Sequence, residues 1–161
     1  MIKKIIIAAL AIPLAGHAQV LKTGGMKKIT VPAETPSVAA FSPNGDFLLL
    51  TSPVYDGLVK YNIATGKTEK LTDAPGAGYG VKLSGNGENI VYRENSYDKN
   101  HLRNVALQSL NLVNGKRKRI SKPSRNLQGY SVEGTQASIV NNSRKTIKAL
   151  ASGTKKTDVP S

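Results

Sequence analysis

The chain has 161 residues, room for one ordinary domain or part of one, and its 39% apolar residues, 5% aromatics, 15 Gly and absent Trp favour many short strands over long helices. It contains no cysteine, which excludes disulfides, thiolate metal ligands and lipid attachment through a Cys. Against 10 Asp plus Glu stand 23 Lys plus Arg, a formal charge of +13 that fits either an anionic partner or a solvated basic surface.

Residues 1–18, MIKKIIIAALAIPLAGHA, combine two lysines, an apolar stretch from Ile5 to Ala15, and small residues at Gly16 and Ala18. The apolar stretch is too short to span a bilayer, and small-x-small precedes Gln19, so the pattern predicts a secretory signal peptide cleaved between Ala18 and Gln19. The mature part, 19–161, is then periplasmic or secreted, without a membrane anchor. The alternative is an uncleaved anchor. His17 falls inside the cleavage signal and carries no chemistry.

The mature part repeats itself. The segment LVKYNIATGKTEKLT, ending at Thr72, matches ALQSLNLVNGKRKRIS, ending at Ser121. Weaker copies are LKTGGMKKIT, ending at Thr30, and IKALASGTKKTDV, ending at Val159. Each reads as an alternating apolar strand, a two-residue turn with Gly24, Gly66, Gly115 or Gly153, and an alternating basic strand. A second unit precedes the hairpins: FSPNGDFLLLTS at 41–52 matches LSGNGENIVYREN at 83–95, and SVEGTQASIVNN around Gly134 is a degraded third copy. In chain order this predicts an outer hairpin over 20–30 and four-strand units over 37–72, 79–121 and 130–159. A period of about 40 to 50 residues is the size of a β-propeller blade.

The run FSPNGDFLLLTS followed by LVKYNIATGKTEKLT resembles the TolB-type propeller repeat, a relative of the WD repeats, whose blades read (W/F)SPDG, an apolar strand, then D..TG and LT. The resemblance is strong in the first unit, fair in the second, where Gly85 stands in place of Pro, and thin in the third, which lacks the Ser-Pro-x-Gly turn. It implies an all-β fold, a partial β-propeller of four-stranded antiparallel blades. Three and a half blades fall short of the four to eight of closed rings. The expectation is therefore the N-terminal portion of a longer propeller, ahead of an interrupted gene product or a protomer that completes its ring with another copy, a homo-oligomer covering open edges. The same repeats could also stack as an open twisted array.

In a propeller the strand 2–3 loops and the connectors between blades share one face, and the most varied segments belong there: Pro53-Val54-Tyr55-Asp56, APGAGYG at 74–80, SYDKNHLRN at 96–104 and KPSRNLQGY at 122–130. Aromatics and arginines supply large contacts at low entropic cost. The candidate binding residues are thus Tyr55, Tyr79, Tyr97, Asp98, His101, Arg103, Arg125 and Tyr130. Against this, Gly78-Tyr79 and Gly129-Tyr130 could simply pack the connectors. The basic run Lys116-Arg117-Lys118-Arg119 reads first as protection of an outermost strand, and second as an anion site.

No motif for catalysis, cofactor or metal is recognised. Gly66-Lys67-Thr68 ends like a phosphate loop, but Tyr61 stands where its first glycine belongs, and GAGYG lacks a following helix. His101 is the single mature histidine, and no Gly-x-Ser-x-Gly elbow occurs. Export also argues against nucleic acid and points to an envelope protein or an anionic surface. Two functions follow. The first is a non-catalytic interaction module, the role the resemblance implies. The second is the propeller portion of an exported enzyme, since similar repeats accompany prolyl-oligopeptidase-like peptidases and form some uronate lyases, whose catalytic groups would lie outside this chain.

Overall fold

Alternating side chains and Gly-containing turns give eleven strands and no helix in the computed structural model, which describes residues 28–141 and 144–151. The predicted signal peptide, most of the predicted hairpin over 20–30, and the end of the third repeat from residue 152 lie outside the described residues. β1 (Ser37–Phe41), β2 (Phe47–Thr51), β3 (Leu58–Asn62) and β4 (Thr68–Thr72) form one antiparallel sheet in chain order. β5 (Lys82–Leu83), β6 (Asn89–Tyr97), β7 (Arg103–Asn111) and β8 (Arg117–Arg119) form the second. β9 (Leu127–Glu133), β10 (Gln136–Asn141) and β11 (Arg144–Ala149) form a three-stranded third. A fourth strand there would fall outside the described residues.

Two apolar seams hold the sheets face to face. Every residue of β2, FLLLT, is buried, because the strand packs on both sides. Leu49 joins Phe47, Leu58 and Leu71 against Ile90, Tyr92 and Leu110 of the second sheet, with Ala77 and Val81 of the connector closing the seam. Leu48 and Leu50 point the other way and lie with Tyr61 beneath Ile29 and Val31. The period of two then divides β6: Ile90 and Tyr92 face the first sheet, while Val91 faces the third. Val91, Leu107 and Ile120 meet Ala137, Ile139 and Leu150 in that second seam. Each fully buried Leu or Ile contributes about 1.5–3 kcal/mol.

The turns differ from the sequence expectation. Gly66 and Gly115 do occupy positive φ, 69° and 70°, where a Cβ is disfavoured. Yet the hairpins are four-residue loops, not two-residue turns: Asn62 N–H donates to the Lys67 carbonyl and Asn111 N–H to the Lys116 carbonyl, both at 2.9 Å. The asparagine is the reason. Asn62 Oδ1 accepts from Thr65 N–H at 2.8 Å, and Asn111 Oδ1 accepts from Val113 and Asn114 N–H at 3.0 Å each, so an Asx cap stabilises the longer loop. Asn111 is 1% exposed and also donates to Asn89 Oδ1. Asn111→Ala should cost about 1–2 kcal/mol in urea unfolding; a loss below a few tenths would show that the backbone alone sets the loop.

Three residues of the basic run, Arg117 to Arg119, form β8, an edge strand of the second sheet, and Lys116 closes the loop before it. The run also ties sheets together. Arg117 donates to the Leu71 carbonyl of β4 and Lys118 to the Ala149 carbonyl of β11 at 3.1 Å, while Arg119 pairs with Glu94 of its own sheet at 3.1 Å.

Candidate functional site

One end of the sheets carries the β1–β2 and β3–β4 turns, and the other carries the β2–β3 loop and the connectors. At the second end, backbone bonds clamp connector 74–80 between its neighbours. Gly78 N–H donates to the Tyr55 carbonyl at 2.9 Å, Gly57 N–H to the Ala74 carbonyl at 3.1 Å, and Asn95 N–H, at the top of β6, to the Pro75 carbonyl at 2.8 Å. Asp56 Oδ1 accepts from Gly76 N–H at 2.8 Å. The clamp needs glycine at 78, because its backbone lies against the buried side chain of Thr51.

This clamp sets the aromatic groups. Tyr55 is held at φ 65°, a left-handed conformation costly for a residue with a Cβ, and meets Tyr79 edge to face, ring centroids 5.5 Å apart. The guanidinium carbon of Arg93 stands 4.9 Å from the Tyr79 ring and 5.6 Å from that of Tyr130. Tyr130 in turn donates its hydroxyl to the Gly80 carbonyl at 2.7 Å, so β9 and the connector are joined through one side chain. A cavity of about 450 Å³ opens between these groups, lined by Val54, Tyr55, Gly76, Tyr79 and Arg93 and, further round, by Asn95, Arg103, Leu127 and Gln128.

Of the eight sequence candidates, Tyr55, Tyr79 and Arg103 line the cavity, and Tyr130 packs on the arginine that does. The other four lie apart from it. Asp98 organises the β6–β7 loop: its carboxylate accepts from Asn100 N–H at 2.9 Å and Leu102 N–H at 3.0 Å and pairs with Arg125. The Leu102 N–H above all holds the Asp98 carboxyl below its ordinary value. His101 occupies φ 57° at the exposed tip of that loop, and Tyr97 is exposed beside it. Arg93 and Asn95 were missed by sequence reasoning because they sit within a strand. The signal was there: Arg93 follows Val91 at the spacing of two, which places a cation on an otherwise buried face.

Burial raises the Tyr130 hydroxyl above its ordinary value of 10.0, and the charge of Arg93 only partly offsets this. The neutral form is therefore the one that the fold favours. Its contribution to stability is complete below pH 10 and is lost as pH rises through the higher folded-state value. In alkaline absorbance titration, Tyr130→Phe should remove a late-titrating step; an unchanged upper part of the curve would contradict the burial argument.

Among the described residues no cluster of three or more His, Cys, Asp or Glu forms, and no helix is long and apolar enough to cross a membrane. The chain matches no protein-family model and no curated protein. Solved structures do match. An oligogalacturonate lyase in complex with manganese is similar over 68% of this chain and 38% of its own, with 12% identity and a TM-score of 0.50. A second oligogalacturonate lyase, from Vibrio parahaemolyticus, gives the same coverage and TM-score at 10% identity. The described sheets form a partial β-propeller. TolB from Acinetobacter baumannii aligns less well, at a TM-score of 0.46 and 14% identity. At such identities the likeness concerns the fold alone, and the chain spans 38% of the length of the lyases. The three sheets are blades, and the cavity lies on their connector face, above the middle blade.

Proposed function

We propose that the chain is an exported, non-catalytic propeller module that binds a partner or ligand of the cell envelope through its connector face. One observation carries this reading. The connector face gathers Tyr55, Tyr79, Arg93 and Arg103 around a cavity of about 450 Å³, whereas the opposite face carries hydrogen-bonded Asn-Gly and Thr-Gly loops around a smaller one of about 220 Å³ that no tyrosine or arginine lines. Aromatic and guanidinium groups of this kind dominate the energetics of recognition, and a rigid frame lowers the entropic cost of using them. The signal pattern of residues 1–18 supports the compartment, and the charge of +13 supports an anionic partner.

The test places a photo-cross-linking amino acid at Tyr97 on the connector face or at Ala64 on the turn face of the full chain, expressed with its leader. Defined adducts in the envelope fraction from position 97 and none from position 64 are expected. Equal labelling at both, or retention in the cytoplasm, would overturn the reading.

The limited share of the lyases that the chain spans keeps a second reading, the propeller portion of an exported enzyme. An adjoining coding segment with a hydrolase elbow, or with further blades carrying histidines, would favour it.

A further inference from the structure

Two arginines line the connector-face cavity, Arg93 and Arg103, and no Asp or Glu does. The acidic groups of the surrounding segments are engaged elsewhere. Asp56 accepts from Gly76 N–H, Asp98 pairs with Arg125, and Glu94 turns to Gln108 and Arg119. Among the described residues neither Arg93 nor Arg103 has an ion-pair partner, and the buried Nε of Arg93 has no hydrogen-bond acceptor. Arg93 is half-buried, and what it meets, the rings of Tyr79 and Tyr130 and the hydrogen bond to the Tyr130 side chain, supplies no counter-charge.

This arrangement suits an incoming anion of a particular shape. A guanidinium offers its N–H groups as a planar fork that matches a carboxylate through two parallel bonds. Beside it, Tyr55 and Tyr79 are 46% and 54% exposed and present ring surface to the same cavity. Asn95 and Gln128 add polar groups at the wall. The volume, about 450 Å³, is that of a site for a small ligand.

We infer that this cavity binds a small carboxylate carried on a six-membered ring, with Arg93 and Arg103 holding the carboxylate and Tyr55 and Tyr79 the face of the ring. The inference rests on the connector face being the binding face, and it adds the ligand chemistry. The ring can be that of a sugar acid or of an aromatic acid, and the two are separated by experiment.

Isothermal titration calorimetry of the full chain against glucuronate, benzoate, their neutral counterparts glucose and benzyl alcohol, and inorganic phosphate provides the test. At least one carboxylate should bind about tenfold more tightly than its neutral counterpart and than phosphate; which one binds identifies the ring. Arg93→Gln and Arg103→Gln should each weaken that binding at least about tenfold, while Lys67→Ala on the turn face leaves it unchanged. Arg103 is exposed, so its variant decides the matter if the Arg93 variant melts early. Binding of phosphate or of the neutral compounds as tightly as the carboxylates overturns the ligand chemistry and leaves the connector face standing. So does the absence of binding, provided that position 97 still cross-links. Carboxylate binding that survives both arginine variants and is lost in Lys67→Ala overturns the face as well.

Discussion

Replacing Gly78 with alanine should destabilise the protein by about 3 kcal/mol and lower its melting temperature by on the order of 10 °C. The added Cβ would stand 2.1 Å from Thr51 Oγ1, 2.5 Å from its Cβ and 2.7 Å from its Cγ2. Thr51 cannot step aside. It is fully buried, and its hydroxyl donates to the Gly57 carbonyl at 2.9 Å, which fixes the start of β3. Either the connector lifts, breaking the Gly78 to Tyr55 bond, or the threonine turns and leaves buried polar atoms unpaired. Gly85→Ala is the control: nothing lies within 4 Å of its would-be Cβ, so its effect should stay within about 0.5 kcal/mol. Equal melting of the two variants would sink the close-approach argument. Because the same connector carries Tyr79, a lifted connector would also separate Tyr79 from Arg93.

Leu107→Ala should cost about 2–5 kcal/mol, read from urea unfolding. Leu107 is fully buried between the second and third blades, where it packs with Val91, Ile120, Ala137, Ile139 and Leu150. Blades contact their neighbours in sequence, so the damage should stay on one side of the molecule. Hydrogen exchange should accelerate most in β9, β10 and β11, and least in β2 and β3, whose contacts belong to the other seam and to the cover of Ile29 and Val31. Uniform acceleration would instead show that the blades unfold as one unit.

The all-β architecture is legible in the chain because runs such as FLLLT and LVKYN alternate between two faces, and because Gly45, Gly66, Gly87 and Gly115 fall where the backbone takes positive φ. The loop lengths were not legible: the pairing of Asn62 with Lys67 goes with an asparagine side chain bonding its own turn, a local bond that competes with the two-residue alternative. Of the cavity, the tyrosines could be read from their place in long connectors. The spacing of two puts Arg93 on the buried face of β6, but its partners were hidden, since Tyr130 is distant in sequence and reaches the guanidinium only after the sheets stack. The role of the basic run on β8 was likewise hidden, because its acceptors are backbone carbonyls, which every residue carries.

The turn face bears on how the protein ages. Asn44-Gly45, Asn86-Gly87 and Asn114-Gly115 are the dipeptides in which a glycine nitrogen attacks the preceding side-chain amide, expelling ammonia and closing a succinimide. In the fold that nitrogen is engaged each time: Gly45 N–H donates to the Ser42 carbonyl at 3.1 Å, Gly87 N–H to the Ser84 carbonyl at 2.8 Å, and Gly115 N–H to the Asn111 carbonyl at 2.9 Å. The nucleophile is thus withheld while the turns stay closed and released when they open. Deamidation at these three sites therefore records the time that the molecule has spent with its turns undone, a chemical clock set by folding.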